Sequence, residues 1–117
     1  MTVLDEIVAA TRLEIERLRT VARRRTDRRP LDVASRLRRG AGRPLCVIAE
    51  IKKRSPSAGV LSRVLDVPSR ARVYERAGAS MISILVDRAH FDGGYDDLMA
   101  ARAFVDVPLL CKGFILD

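Results

Sequence analysis

The chain has 117 residues, of which 48% are hydrophobic and 32% are charged, and its formal net charge is +7. This length and balance indicate one globular domain and exclude a disordered chain. No apolar run reaches the ~20 residues that a membrane-spanning helix needs, and the acidic start, Met1 to Glu6, is unlike a signal peptide. We therefore expect a cytoplasmic protein.

The positive charge is concentrated in the N-terminal segment. Residues 1–43 contain twelve arginines and six acids, whereas residues 44–117 contain ten basic and nine acidic residues. The chain has no tryptophan and three phenylalanines, which leaves few rings on which nucleic-acid bases could stack. We expect the arginines to lie on solvated helix faces, and we expect no nucleic-acid or membrane partner.

Residues 1–43 predict an N-terminal helical extension. Apolar or small residues recur at three- and four-residue steps and form one stripe: Leu4, Val8, Thr11, Ile15, Leu18 and Ala22. Thr2 is expected to cap the helix start, with Asp5 three residues later. The segment from Asp27 to Pro30 breaks this helix. A second helix over residues 31–39 is expected to end at Gly40 in the left-handed conformation.

Residues 44–117 predict strands that alternate with helices. Strands are expected over 45–52, 80–87 and 107–114, the first of them buried on both faces up to its polar end. Helices are expected over 68–77, stopped by Gly78, and from Gly93-Gly94 through Phe104. This alternation predicts right-handed βαβ units and a parallel sheet.

Polar side chains gather where the predicted strands end. Glu50 and Lys52 are two residues apart and share a face, as do Lys112 and Phe114, while Asp87 ends the second strand. Because function collects at the carboxyl ends of parallel strands, we expect these side chains to converge on one rim. An ion pair of Glu50 with either lysine, closing the end of the sheet, is the structural alternative.

Lysine is rare in this chain, which makes its positions informative. Three of the 22 basic residues are lysines, namely Lys52, Lys53 and Lys112, and the rest are arginines. A lysine ammonium can lose its proton when desolvated, whereas a guanidinium stays charged. Lysine at these strand ends therefore suggests proton transfer or a need for a compact point charge; the alternative is that Lys52 and Lys53 are adjacent by chance. Cys46 and Cys111 lie in apolar runs and are expected to be core residues, and the lone histidine, His90, has no partner at ligand spacing, so we predict no metal site.

The run from Ile48 to Ser57, Ile-Ala-Glu-Ile-Lys-Lys-Arg-Ser-Pro-Ser, resembles the first-strand signature of indole-3-glycerol-phosphate synthase, the tryptophan-pathway lyase. The resemblance continues through the runs at 74–79 and 82–85, Phe91 with Gly93, and Lys112 to Ile115. It implies a (β/α)8 barrel. Residues 44–117 would form its first three strands and two helices, an incomplete barrel preceded by the extension at 1–43.

The resemblance also implies a reaction. The family converts 1-(2-carboxyphenylamino)-1-deoxyribulose 5-phosphate to indole-3-glycerol phosphate, releasing carbon dioxide and water, without a cofactor or metal. Lys112 would be the general acid that protonates the ribulose carbonyl. Lys52 would bind the substrate's anionic groups and assist later proton transfers, and Glu50 would hold the lysines and support dehydration. The positions carried over as substrate-binding residues are Ser55 and Pro56 in the loop, Ser83 in the pocket, and Phe91 and Phe114 against the aromatic ring.

A complete (β/α)8 barrel needs about 250 residues, so the family's later-strand carboxylate and phosphate-binding loops are expected elsewhere. We expect a truncated product, one piece that pairs with a separate chain supplying the C-terminal part of the barrel, or a non-catalytic half-barrel remnant. The isolated chain is expected to be marginally stable and catalytically poor. Three positions depart from the family pattern. Gly113 stands where aspartate is usual, Val86 replaces a hydroxyl residue, and Gly94 replaces a serine.

Overall fold

A three-stranded parallel sheet, covered on one face by helices, forms the centre of the molecule in a computed structural model that describes residues 1–21 and 29–117. The helices are α1 (Val3–Arg19), α2 (Val33–Leu37), α3 (Val67–Arg76), α4 (Arg88–Phe91) and α5 (Tyr95–Arg102). The strands are β1 (Ile48–Ile51), β2 (Arg54–Ser55), β3 (Gly59–Val60), β4 (Met81–Leu85) and β5 (Leu109–Lys112). The sheet has the order β1-β4-β5, and β2 and β3 form a separate antiparallel pair.

Helix α1 begins as the sequence predicts. The Thr2 hydroxyl accepts a hydrogen bond from the Asp5 amide at 3.2 Å, and the Asp5 carboxylate accepts one from the Thr2 amide at 2.7 Å. This capping box satisfies amides that have no partner within the helix. Ile7 is the buried residue of α1, and the predicted stripe beside it is half-buried from Val8 onward. The predicted end of the stripe at Ala22 and the start of the break at Asp27 lie outside the described residues.

The second predicted helix is shorter than expected. It spans five residues, with the Asp32 carboxylate accepting a hydrogen bond from the Ser35 amide at 3.1 Å. The helix ends at Arg38, which is extended with ψ 117°. The left-handed conformation expected at Gly40 is therefore wrong, and Gly42 adopts a positive φ of 73° instead. The chain turns two residues later than the glycine pattern indicated.

The hydrophobic core lies between the sheet and helices α3 and α5. Ile51 of β1 and Ile82 and Ile84 of β4 are at most 3% exposed and pack against Ala71 of α3 and Ala101 of α5. Helix α3 stops as predicted, with Gly78 at φ 96°. The parallel pairing predicted from the alternation is present, and the alternate side chains of each strand point to the opposite face of the sheet.

The first strand is less buried than predicted. Leu45, Val47 and Ile48 have exposed fractions of 73%, 52% and 50%, so burial on both faces is wrong for this segment. Regular pairing begins at Ile48, and β1 is an edge strand of the sheet among the described residues. An apolar run alone cannot distinguish a strand with two covered faces from one whose second face lacks a cover.

Two small elements escaped prediction, and both follow strands. The β2–β3 pair encloses the expected loop around Pro56, with Arg54 opposite Val60 and Ser55 opposite Gly59. Helix α4 occupies the chain between β4 and α5. Four-residue helices and two-residue strands have too few residues to show a hydrophobic period, so the sequence carried no periodic signal for them.

Candidate functional site

The carboxylate of Glu50 is the centre of a polar cluster at the end of the sheet. Lys112 Nζ lies 2.7 Å from Glu50 Oε1, and Lys52 Nζ lies 3.8 Å from Glu50 Oε2. The Ser83 hydroxyl donates to Glu50 Oε1 at 3.4 Å. The structure thus brings together four residues that lie on, or directly after, the three adjacent strands β1, β4 and β5.

The register of the sheet explains this convergence. Glu50 of β1 is opposite Ser83 of β4, which is opposite Leu110 of β5. Side chains alternate between faces along a strand, so Glu50 and Ser83 point away from α3 and α5, and Lys112, two residues beyond Leu110, shares their face. Ile51, the neighbour of Glu50, points into the core. One strand therefore supplies both the core and the cluster.

The cluster is accessible to solvent. The exposed fraction of the side chain is 31% for Glu50 and 54% for Lys112. The hydrogen bond from Lys112 lowers the pKa of the Glu50 carboxyl below its ordinary value, with smaller contributions from the charges of Lys112 and Lys52 and the hydroxyl of Ser83, against the opposing effect of burial. Glu50 is thus held ionised near neutral pH and can accept a proton.

Asp87, expected on the same rim, has a different position. Its carboxylate accepts a hydrogen bond from the His90 amide at 2.7 Å and caps helix α4. The capping position follows from the unpredicted helix, which begins directly after Asp87. The structure therefore gives Asp87 a structural hydrogen bond and not a contact with Glu50.

The residues predicted for the loop lie in the β2–β3 hairpin. Ser55 is 6% exposed, and its hydroxyl accepts a hydrogen bond from the Ala58 amide at 3.1 Å. Pro56 is exposed at the tip of the same hairpin. Gly59, the first residue of β3, adopts a φ of 68°, a conformation that glycine reaches without strain.

The two predicted aromatic residues line different cavities. Phe91 borders a narrow crevice of about 10 Å³ between the sheet and α5, next to Lys53 and Asp97. Phe114 is 39% exposed and borders a cavity of about 360 Å³ beneath α1, next to Tyr95. The structure does not bring these two rings together.

Lys53 and Asp97 form an ion pair that sequence reasoning missed. Lys53 Nζ lies 2.9 Å from Asp97 Oδ2, and their side chains are 23% and 21% exposed. Asp97 is the third residue of α5, where an acidic side chain is also favoured by the helix dipole. Because the helix dipole alone accounts for an acidic residue at this position, no sequence pattern indicated a distant lysine partner.

Gly93 lies close to the backbone at the end of β4, a contact that its place after Phe91 in the sequence did not predict. A Cβ atom at this residue would lie 2.0 Å from the backbone oxygen of Leu85. The segment between α4 and α5 therefore passes directly over the end of β4, which only a glycine allows. This contact sets where α5 begins relative to the sheet.

The cysteines are free, and burial raises the pKa of the Cys111 thiol. Among residues 1–21 and 29–117, no three histidine, cysteine or acidic side chains gather closely enough to hold a metal ion. In the same part of the chain, no helix combines the length and apolar character required to cross a bilayer.

The comparison with known proteins identifies the family of this chain. The family model described as indole-3-glycerol phosphate synthase matches residues 4–117. The chain belongs to the indole-3-glycerol phosphate synthase family. The resemblance carried by the run at 48–57 is thereby confirmed.

Individual relatives agree with this assignment. A protein of Exiguobacterium sibiricum named indole-3-glycerol phosphate synthase is 40% identical over 117 residues, covering 100% of this chain and 45% of the relative. Relatives of the same name from Kineococcus radiotolerans and Bacillus mycoides are 37% and 38% identical, covering 100% and 99% of this chain and 46% and 44% of their own length. The chain thus spans less than half the length of these curated relatives.

Proposed function

We propose that this chain supplies the N-terminal catalytic part of an indole-3-glycerol phosphate synthase, a carboxy-lyase of tryptophan biosynthesis. The observation that carries the proposal is the Glu50 carboxylate, bound by Lys112 at 2.7 Å and 3.8 Å from Lys52. A carboxylate between two ammonium groups combines a proton acceptor with two proton donors. The names of the relatives support this chemistry.

The substrate of the proposed reaction is 1-(2-carboxyphenylamino)-1-deoxyribulose 5-phosphate. The ring carbon that bears the carboxylate attacks the ribulose carbonyl carbon, while Lys112 gives its proton to the carbonyl oxygen. A carbon–carbon bond and a hydroxyl are formed. The carboxylate then leaves as carbon dioxide, and the electrons of the broken bond restore the aromatic ring. Lysine suits the donor role because its ammonium can release a proton, which a guanidinium does not.

Dehydration completes the proposed reaction. The new hydroxyl takes a proton from Lys52 and leaves as water, and a proton lost from the new ring passes to Glu50 as the indole double bond closes. Glu50 can take this role because its carboxylate is ionised, the state in which it accepts a proton. Both lysines would also attract the anionic groups of the substrate.

The remaining strands of the proposed (β/α)8 barrel would pair with the edges of the sheet at β1 and β5. They would come from the same polypeptide or from a separate complementing chain. Support comes from the relatives, of which this chain covers 45% in one instance. It also comes from Ile48 and Leu110, which are 50% and 39% exposed on the face of the sheet that the helices leave uncovered.

Indole fluorescence tests the proposal. The chain would be incubated with the substrate, alone and mixed with a polypeptide that carries the family's remaining strands. Product formation in the mixture is the expected result, because the later strands supply the phosphate-binding loops. A folded, associated mixture that forms no product would contradict the proposal and favour a non-catalytic half-barrel.

Replacement of Lys112 tests the acid role in the active mixture. Lys112→Arg keeps the charge but replaces the ammonium with a guanidinium, which is too weak an acid to give its proton to the carbonyl oxygen, so we expect kcat to fall by about 100-fold or more while KM changes little. Steady-state kinetics measure both. The matched control is Arg72→Lys, a basic exchange at an exposed position of α3, which should leave both constants unchanged. A kcat near the unaltered value in Lys112→Arg would exclude the general-acid role.

A further inference from the structure

Lys53 lies two residues beyond the end of β1. It borders a crevice with Ile51, Val67 and Phe91, which places it on the helix side of the sheet. Its ion pair with Asp97 at 2.9 Å is the most buried lysine–carboxylate pair among the residues that the structure describes. This pair is therefore less screened by solvent than the pair at Glu50.

The backbone of Lys53 closes the hairpin. Its carbonyl oxygen accepts hydrogen bonds from the amides of Leu61 at 2.8 Å and Ser62 at 3.1 Å. Between these contacts lie β2, Pro56 and β3. Lys53 thus binds the far end of the segment 54–62 through its carbonyl and the first turn of α5 through its ammonium. We call residues 54–62 the hairpin segment.

Acidic groups approach Lys53 from two helix starts. Asp97 lies in the first turn of α5, and Asp66 caps α3 by accepting a hydrogen bond from the Ser69 amide at 3.1 Å. The pKa of Asp66 is lowered mainly by hydrogen bonds from Ser69, and the charge of Lys53 lowers it further. The ammonium of Lys53 thus pairs directly with Asp97 and acts on Asp66 through its charge alone, at two helix N-termini where the helix dipoles already favour negative charge.

We propose that Lys53 is a positioning residue, whose ion pair with Asp97 fixes the hairpin segment over the rim of the sheet and so presents Ser55 and Pro56 to the substrate. Lys53 forms its ion pair with Asp97 on the helix side of the sheet, away from Glu50 and Lys112, so it acts on binding and not on proton transfer. The effect on the substrate rests on the proposed function, whereas the anchoring of the hairpin segment rests on the contacts alone.

Hydrogen exchange of single amides tests the anchoring without any need for activity. In Lys53→Met and in Asp97→Asn, the Leu61 and Ser62 amides should exchange roughly tenfold faster, because the local opening of the hairpin becomes easier. The amides of Ile82 and Ile84 in the central strand should change far less. In the double variant these amides should exchange little faster than in either single variant, since both substitutions remove the same ion pair. Equal acceleration of all these amides, or no acceleration, would overturn the anchoring role.

Kinetics of the complemented enzyme test the consequence for binding. Lys53→Met should raise KM roughly fivefold to tenfold and leave kcat and its pH profile unchanged, whereas Lys52→Met should lower kcat. The exchanged pair, Lys53→Asp with Asp97→Lys, should recover part of the lost affinity. An unchanged KM together with a loosened hairpin would overturn the positioning role. If the unaltered enzyme formed no product, the proposed function would fail, and hydrogen exchange would still decide the anchoring.

Discussion

At the scale of single residues, the cluster depends on alternation along β1. Glu50 binds Lys112 on one face of the sheet, and the adjacent Ile51 is 3% exposed in the core on the other. The spacing of Glu50 and Lys52 was sufficient to predict their shared face. The lysine at 53 was noticed but not explained, because its partner Asp97 is 44 residues away and nothing local links them.

The decrease in the free energy of unfolding at low pH should depend in part on Glu50. Its pKa in the folded protein is lowered from 4.5, so the carboxylate contributes stability above the unfolded-state pKa and loses it as pH falls through the folded-state pKa. In Glu50→Gln this contribution is absent. The free energy of unfolding of the two proteins, measured in urea at pH 7 and at successively lower pH, should differ at pH 7 by ~1 kcal/mol or less and converge below pH 4.5.

The matched control for this titration is Glu6→Gln. Glu6 is exposed near the start of α1 and lies on a different element from the cluster. Its replacement should change the free energy of unfolding at pH 7 by about 0.5 kcal/mol or less. A Glu50→Gln curve that ran parallel to the unaltered curve at every pH would show that Lys112 does not stabilise the ionised carboxylate.

At the scale of elements, the strands and longer helices could be predicted because their periods extend over enough residues. The parallel order followed from the alternation, and the stop at Gly78 followed from its conformation. Helix α4 and the hairpin segment could not be predicted, because hydrogen bonds decide them and not periodicity. Asp87 shows the consequence: it was expected on the rim, and it caps α4 instead.

Two departures from the family pattern touch each other. A Cβ atom added at Gly113 would lie 3.1 Å from Cγ2 of Val86, so the side chain at 86 occupies the space that a side chain at 113 needs. We predict that Gly113→Ala and Val86→Ala are coupled. The double variant should be more stable than the sum of the single effects by about 1 kcal/mol, measured by urea unfolding.

Gly40→Ala is the control for this coupling, since a Cβ atom there would first meet the flexible side chain of Arg43 at 3.4 Å. Its effect should add to that of Val86→Ala within about 0.5 kcal/mol. Additivity in the Gly113 pair as well would mean that β5 shifts to accommodate the new side chain, and the two departures would then be independent.

At the scale of the whole molecule, the chain is more open than a closed domain. Its radius of gyration is 15.7 Å, whereas a compact domain of this length has about 13 Å. The sheet ends at β1 and β5 among the described residues, and unpaired strand edges favour association with further strands. The sequence indicated three strands, but no pattern within it specifies what lies beside them.

Pairing with the remaining strands of the proposed barrel should protect the edge of β5. The Lys112 carbonyl accepts a hydrogen bond from the amide of Val86, the residue directly after β4. Since the N–H and C=O of a strand residue point to one side, the amides of Leu109 and Cys111 face away from β4. Their hydrogen exchange should slow by at least about tenfold on mixing with the complementing polypeptide. Unchanged exchange in a mixture that forms product would place the new strands elsewhere.

The alternation in β1 also makes this gene segment unusually intolerant of small deletions. Lys53 ties the downstream end of the strand to α5, so in-frame loss of the codon for Ile51 would draw Glu50 forward by one position. The carboxylate would then enter the hydrophobic core, and no acid would remain between the lysines. A single missing triplet would thus disrupt the hydrophobic core and, in the same event, the Glu50 cluster on which the proposed function rests.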